Sequence, residues 1–142
     1  MKMQDCKYSQ CLYFTSNALA RKVEKLAIAS WKKVNLAPSH GYLLMLLLEE
    51  PGMQPGQIAV QLQLTPSTIT RLIERLEGKK LVVRTTEGKI TNVYPSPKAK
   101  EILPQLKACV EDFIQSYNHF LGEEESIKLV RNMNIISDKL GV

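Results

Sequence analysis

The stretch Thr65-Pro-Ser-Thr-Ile-Thr-Arg-Leu-Ile-Glu-Arg-Leu-Glu-Gly78 decides the fold. Thr65 is a residue type whose side chain caps a helix. Pro66 suits the first helical turn, where its missing N–H would have no partner anyway. Ile69, Leu72, Ile73 and Leu76 then fall at i, i+3, i+4 and i+7 and form one apolar stripe. The opposite face presents Ser67, Thr70, Arg71, Glu74 and Arg75. Small hydroxyls near a helix N-terminus can approach base edges or phosphates, and arginine can fork onto guanine or phosphate. A plain surface helix with a solvated Arg/Glu face has the same stripe, so the flanking segments must decide between the two.

Upstream, Pro55 to Leu62 reads as a short helix with Ile58, Ala59 and Leu62 buried, and Gln63-Leu64 is a tight turn. Downstream, the apolar period switches from 3.6 to 2. Leu81 to Thr85 and Lys89 to Tyr94 read as strands joined by a turn at Glu87-Gly88. A short helix, a tight turn, a second helix and a hairpin together make a helix-turn-helix with a β-wing, which favours the nucleic-acid reading. Between Pro66 and Asn92, six basic residues (Arg71, Arg75, Lys79, Lys80, Arg84, Lys89) outnumber three acidic ones (Glu74, Glu77, Glu87). Much of the chain's formal charge of +5 therefore sits on this side.

The rest of the chain is helical. One helix runs from about Ser9 to Lys33. Residues 39 to 50 are apolar almost all round, so that helix belongs in the middle of the fold, and Pro51-Gly52 ends it. Ser96-Pro97 opens a long helix to about Leu121, with Pro104 expected to kink it. Gly122 breaks the chain, and Glu123 to Glu125 start a final helix where negative charge suits the dipole. The expected fold is mainly α with a small β-hairpin wing. Residues 37–95 form a winged helix-turn-helix lobe, and residues 1–36 and 96–142 form dimerisation helices, which carry more apolar surface than the small lobe can cover.

A chain of 142 residues with 44% hydrophobic and 23% charged residues has a globular composition rather than a disordered one. The polar N-terminus has no apolar signal core, and Tyr42 to Leu48 is the longest apolar run, too short to span a bilayer. A cytoplasmic protein with no membrane partner is expected. Cys6, Cys11 and Cys109 have no CxxC spacing and make no disulfide framework. His40 and His119 are isolated, so neither a metal site nor a cofactor is expected. With no nucleophile–base grouping and no phosphate-binding glycine loop, the chain does not read as an enzyme.

The sequence resembles the MarR family of winged helix-turn-helix regulators. The matching stretches are Leu36-Ala-Pro-Ser-His-Gly-Tyr-Leu-Leu, Glu50-Pro-Gly-Met-Gln-Pro-Gly-Gln-Ile-Ala, Leu64-Thr-Pro-Ser-Thr-Ile-Thr-Arg-Leu-Ile-Glu-Arg-Leu-Glu and Lys80-Leu-Val-Val-Arg. The resemblance implies a homodimeric transcriptional regulator, a repressor, that places two recognition helices in successive major grooves of double-stranded DNA. Gln54, Ser67, Thr68, Thr70, Arg71, Arg75, Arg84 and Lys89 are the candidate DNA contacts. It also implies a cleft that takes a small aromatic effector, for which Tyr13, Trp31, Tyr42 and Met45 are the candidate lining. Two departures stand out. Family wings carry an Asp-x-Arg at the tip, whereas this one reads Thr85-Thr-Glu-Gly-Lys-Ile-Thr-Asn92, with Lys89 as the nearest substitute. Ala37 stands where a capping threonine is common. Cys11, with Tyr13 nearby, loosely resembles the peroxide-sensing branch of the family. Two other readings thus stay open: a redox-sensing regulator of the same fold switched through Cys11, and a winged-helix protein-interaction module that no longer reads DNA.

Overall fold

A computed structural model describes residues 1–141. Seven helices and one hairpin follow in the order α1 (Leu12–Trp31), α2 (Pro38–Glu49), α3 (Pro55–Leu62), α4 (Pro66–Gly78), β1 (Val82–Glu87), β2 (Ile90–Pro95), α5 (Pro97–Glu101), α6 (Leu103–Leu121) and α7 (Glu123–Leu140). Short 3-10 turns precede α1 and follow it. The chain divides into two units: residues 31–109, and the two terminal segments 1–30 and 110–141. The lobe therefore takes in more chain than the expected 37–95, because the end of α1 and the start of α6 contribute to its core.

Proline sets the helix starts of the lobe. Pro38, Pro55, Pro66 and Pro97 each sit at the beginning of a helix, where a fixed φ helps and an N–H is not missed. Thr65 caps α4, its Oγ1 accepting from the Thr68 N–H at 3.3 Å. Ala37 offers α2 no side-chain cap. The α3–α4 turn runs through Gln63 at φ 53°, whose N–H closes onto carbonyls at the end of α3.

The core of the lobe is built from α2, α3, α4 and the hairpin. Leu43, Leu44, Leu47, Ile58, Ile69, Ile73, Leu76, Val93 and Leu106 are completely or almost completely buried. All four residues of the apolar stripe read from α4 are buried. Burying one such side chain is worth about 1.5–3 kcal/mol, so the stripe fixes which face of α4 is left for a partner. Trp31 is also fully buried, its ring lying over Gly41 of α2 and 5.3 Å from the Tyr42 ring.

β1 and β2 pair antiparallel, Val82 with Pro95 through Glu87 with Ile90. The connecting turn is Gly88-Lys89, one residue later than expected. Gly88 has φ 63°, and a glycine first in a two-residue loop gives the sense of twist that a hairpin needs. Met53 forms a short antiparallel bridge to Val93, with N–H···O bonds of 2.9 Å from Gly52 to Val93 and from Val93 to Met53. The wing is thereby tied at its base to the loop between α2 and α3.

The kink expected at Pro104 appears as a break at Ile102, between α5 and α6. Pro104 cannot donate a hydrogen bond to the turn before it, so the helix ends and restarts with the proline in the new first turn. In the terminal unit, Gly122 at φ 87° separates α6 from α7. The residues before α1 are less frayed than a polar tail suggests. Thr15 donates to the Ser9 carbonyl at 3.0 Å, and the Tyr8 and Phe14 rings lie 6.3 Å apart. Among the described residues no helix is long and apolar enough to cross a membrane.

Candidate nucleic-acid interface

Every residue of α4 outside its stripe is exposed or half-buried. Arg71 and Arg75 lie one turn apart, so they share a side. Both are exposed, and neither has an ion-pair partner among the described residues. Two unpaired guanidiniums on one ridge are ready to bind acceptors of a partner, and fork-shaped donors match guanine edges and phosphates.

The hydroxyls divide differently. Ser67 is exposed near the helix start, its Oγ 3.3 Å from Thr65 Oγ1. Thr68 is half-buried and drawn into the cap, with its hydroxyl 2.9 Å from that of Thr65. Thr70 Oγ1 donates to the Pro66 carbonyl at 3.1 Å, a bond back into its own helix. Gln54 is the exposed residue at the start of α3, and its N–H donates to the Gln57 side chain at 2.9 Å. Lys89 is exposed at the hairpin tip.

Arg84 is engaged within the lobe. Its Nη2 lies 2.7 Å from Glu77 Oε1, with both side chains about one-third exposed. Glu77 is in the last turn of α4, so the pair joins the recognition helix to β1. Arg84, expected among the DNA contacts, is instead paired with Glu77, to which the sequence assigns no role. The seven-residue separation crosses from helix to strand, and no single-element periodicity links the two.

A second group fixes the junction between helix and wing. Lys80 sits there at φ 60°. Ser96 caps α5 by accepting from the Ala99 N–H at 3.3 Å and donates to the Lys80 carbonyl at 2.8 Å. Lys98 Nζ donates to the Lys79 carbonyl, and Lys79 Nζ to the Asn35 carbonyl, each at 3.3 Å. The Ser96-Pro97 pair shows a helix start in sequence, but its second task of holding the junction does not show.

His40, on α2, is 6% exposed, and neither ring nitrogen has a hydrogen-bond partner. Burial, then the positive charges of Arg75 and Lys79, lower its pKa below the ordinary 6.5. The imidazole is therefore held neutral behind α4.

The four candidate effector residues are divided between the two units. Trp31 is a core residue with no exposed surface, a correction to its expected place in a pocket wall. Tyr42 and Met45 are partly exposed on the same lobe. Tyr13, on α1 of the terminal unit, is 80% exposed. The terminal unit has its own cavities. One of 560 Å³ is lined by Leu26, Ser30, Asp112, Gln115, His119 and Phe120 among others. An apolar one of 270 Å³ lies among α1, α6 and α7. Cys11 is exposed and directly precedes α1, Cys6 is half-buried, and Cys109 is buried. No group of three or more metal-ligating side chains occurs among the described residues.

A short helix, a tight turn, an apolar-backed helix with a basic outer ridge and a tied hairpin define a winged helix-turn-helix protein. Residues 34–89 match the family model of the MarR family. The chain is 27% identical over 118 residues to the HTH-type transcriptional repressor MdtR of Bacillus subtilis (strain 168), covering 78% of this chain and 74% of MdtR. In fold it is similar to the transcriptional repressor CouR bound to a 23-mer DNA duplex. That match has a TM-score of 0.82 at 22% identity, over 96% of this chain and 98% of the other. It is also similar to CouR from Rhodococcus jostii RHA1 bound to p-coumaroyl-CoA, with a TM-score of 0.75 at 19% identity, over 96% and 94% of the two chains.

Proposed function

We propose that the protein is a sequence-specific, double-stranded-DNA-binding transcriptional repressor that acts as a homodimer and leaves DNA when a small aromatic effector binds. The observation that carries this reading is the unpaired ridge of Arg71 and Arg75 on α4, whose opposite face is buried. Ser67, near the helix start, adds an exposed hydroxyl, and Lys89, on the wing, adds an exposed cation. The repressor MdtR, and CouR in its DNA-bound and p-coumaroyl-CoA-bound forms, support the same reading.

Dimerisation rests on the terminal unit. Leu12, Leu19, Val23 and Ile28 of α1, Phe120 and Leu121 of α6, and Ile127, Val130, Met133, Ile136 and Leu140 of α7 are all at least 39% exposed. Apolar surface of that extent marks an interface. Release needs a ligand that binds the DNA-incompetent arrangement of two recognition helices more tightly than the competent one.

The test is binding to the DNA upstream of the protein's own gene, measured alone, with a phenolic ligand, and after mild peroxide treatment. Binding that the ligand abolishes is expected. No binding to that DNA or to selected duplexes counts against the reading. Cys11, exposed at the start of α1, supports a second switch. Peroxide-driven release that disappears in Cys11→Ser would assign the switch to oxidation instead.

A further inference from the structure

Arg84 carries a positive charge beside the recognition helix, yet its guanidinium is 2.7 Å from Glu77. We infer that Glu77 holds Arg84 off the DNA backbone, so that Arg84 is a strut between recognition helix and wing and Glu77 limits how many of the lobe's cations reach phosphate. This rests on the DNA-binding reading above and assigns within it two residues with a positioning role.

Three features support the strut. First, the register pairs Arg84 with Val93, which is fully buried, so Arg84 lies on the strand face that turns toward the core. The stem of the side chain starts from that face rather than from the outer face of the wing, where Val83 and Tyr94 are exposed. Second, both partners are anchored. Glu77 is between Leu76, fully buried, and the α4–β1 junction, which the Ser96 and Lys98 bonds to Lys80 and Lys79 hold. Third, the ridge cations Arg71 and Arg75 have no such partner. The lobe therefore separates two kinds of arginine, unpaired on the ridge and neutralised at the wing base.

The consequence is electrostatic. Each phosphate that a cation neutralises adds about 0.9 to the slope of log affinity against log salt on B-form DNA. A paired Arg84 adds none, and a freed one adds about 0.9. An exposed ion pair alone is weak and would open to phosphate readily. The strand face and the two anchored ends are what would keep this one closed.

The test is binding of the full-length protein to a fluorescent mixed-sequence duplex between about 50 and 200 mM salt. Four proteins are compared: wild type, Arg84→Gln, Glu77→Gln and the double variant. Thermal melting checks that each is folded, and Arg84→Met, which keeps the apolar stem, replaces Arg84→Gln if the latter is loosened. The expected result is that Arg84→Gln leaves the slope of wild type unchanged. Glu77→Gln should bind more tightly at low salt and steepen the slope by about 0.9, so that its advantage shrinks about 3- to 4-fold across that range. Arg84→Gln added to Glu77→Gln should remove the extra slope. A slope flattened by about 0.9 in Arg84→Gln alone overturns the inference, because Arg84 would already be a phosphate contact. So does a Glu77→Gln protein whose slope is unchanged, or whose extra slope survives loss of Arg84. If wild type binds no duplex at low salt, the DNA-binding reading fails and the inference falls with it. Wild-type binding with the wrong variant pattern removes the inference alone.

Discussion

Gly41→Ala sets two sizeable effects against each other at one position. Gly41 lies inside α2, where replacing glycine by alanine ordinarily stabilises a helix by about 0.8–1.0 kcal/mol. Here a Cβ would fall 2.6 Å from Trp31 Cε3 and Cη2 and closer still to Cζ3. Those atoms are the face of a rigid ring with no exposed surface, so the clash cannot be relieved by swinging a flexible side chain outward. Overpacking of a tight core costs about 1–3 kcal/mol, and three ring atoms this close put the cost at the upper end. Subtracting the helix gain leaves a net loss of about 2 kcal/mol. Urea denaturation of the full chain at fixed protein concentration should show the midpoint falling by about 1 M. In a Trp31→Leu background the ring is gone, and the same Gly41→Ala change should reverse sign and stabilise by up to about 1 kcal/mol. A neutral or stabilising effect in the native background would refute the packing argument. So would an equal loss with and without Trp31.

Stability should also depend on pH through His40. Its folded pKa lies below 6.5, so the unfolded chain binds the extra proton first. The contribution is complete above about pH 6.5 and is lost as pH falls toward the folded value. His40→Gln should flatten that part of the denaturation profile, and an unchanged profile would mean the histidine is not responsible. Thr65→Ala should cost about 0.5–2 kcal/mol by removing the cap of α4, read from the same urea curves, whereas no loss would show that Pro66 alone starts the helix. Lys89→Ala should weaken binding evenly across duplex sequences, as expected of a phosphate contact at the wing tip. A large loss of base preference in a competition assay would instead assign it to groove reading.

Local rules made the lobe legible. The proline starts, the Thr65 cap and the 3.6-residue stripe of α4 each depend on neighbours within a few positions, and all four stripe residues are buried as expected. The hairpin followed from the switch to period 2, with its turn displaced by one residue because Gly88 takes the first loop position. What stayed hidden was set by distant packing. Trp31 was a candidate pocket aromatic, and its lack of exposed surface and its seat over Gly41 show it to be core. Arg84 looked like one more basic residue of the wing, because charge counts carry no information about pairing with Glu77. The lobe boundary moved outward for the same reason: Trp31, Leu106 and Cys109 belong to helices that run on beyond the lobe.

The central claim is that the outer ridge of α4 reads DNA. Its most direct test uses a duplex selected from a random pool by the wild-type protein, with wild type, Arg71→Ala and Arg75→Ala measured on that duplex and on a scrambled one. The account predicts that at least one variant loses about 1–3 kcal/mol of affinity for the selected duplex, roughly 5- to 150-fold, and narrows its preference over the scrambled duplex. Two variants that bind both duplexes as wild type does would contradict it.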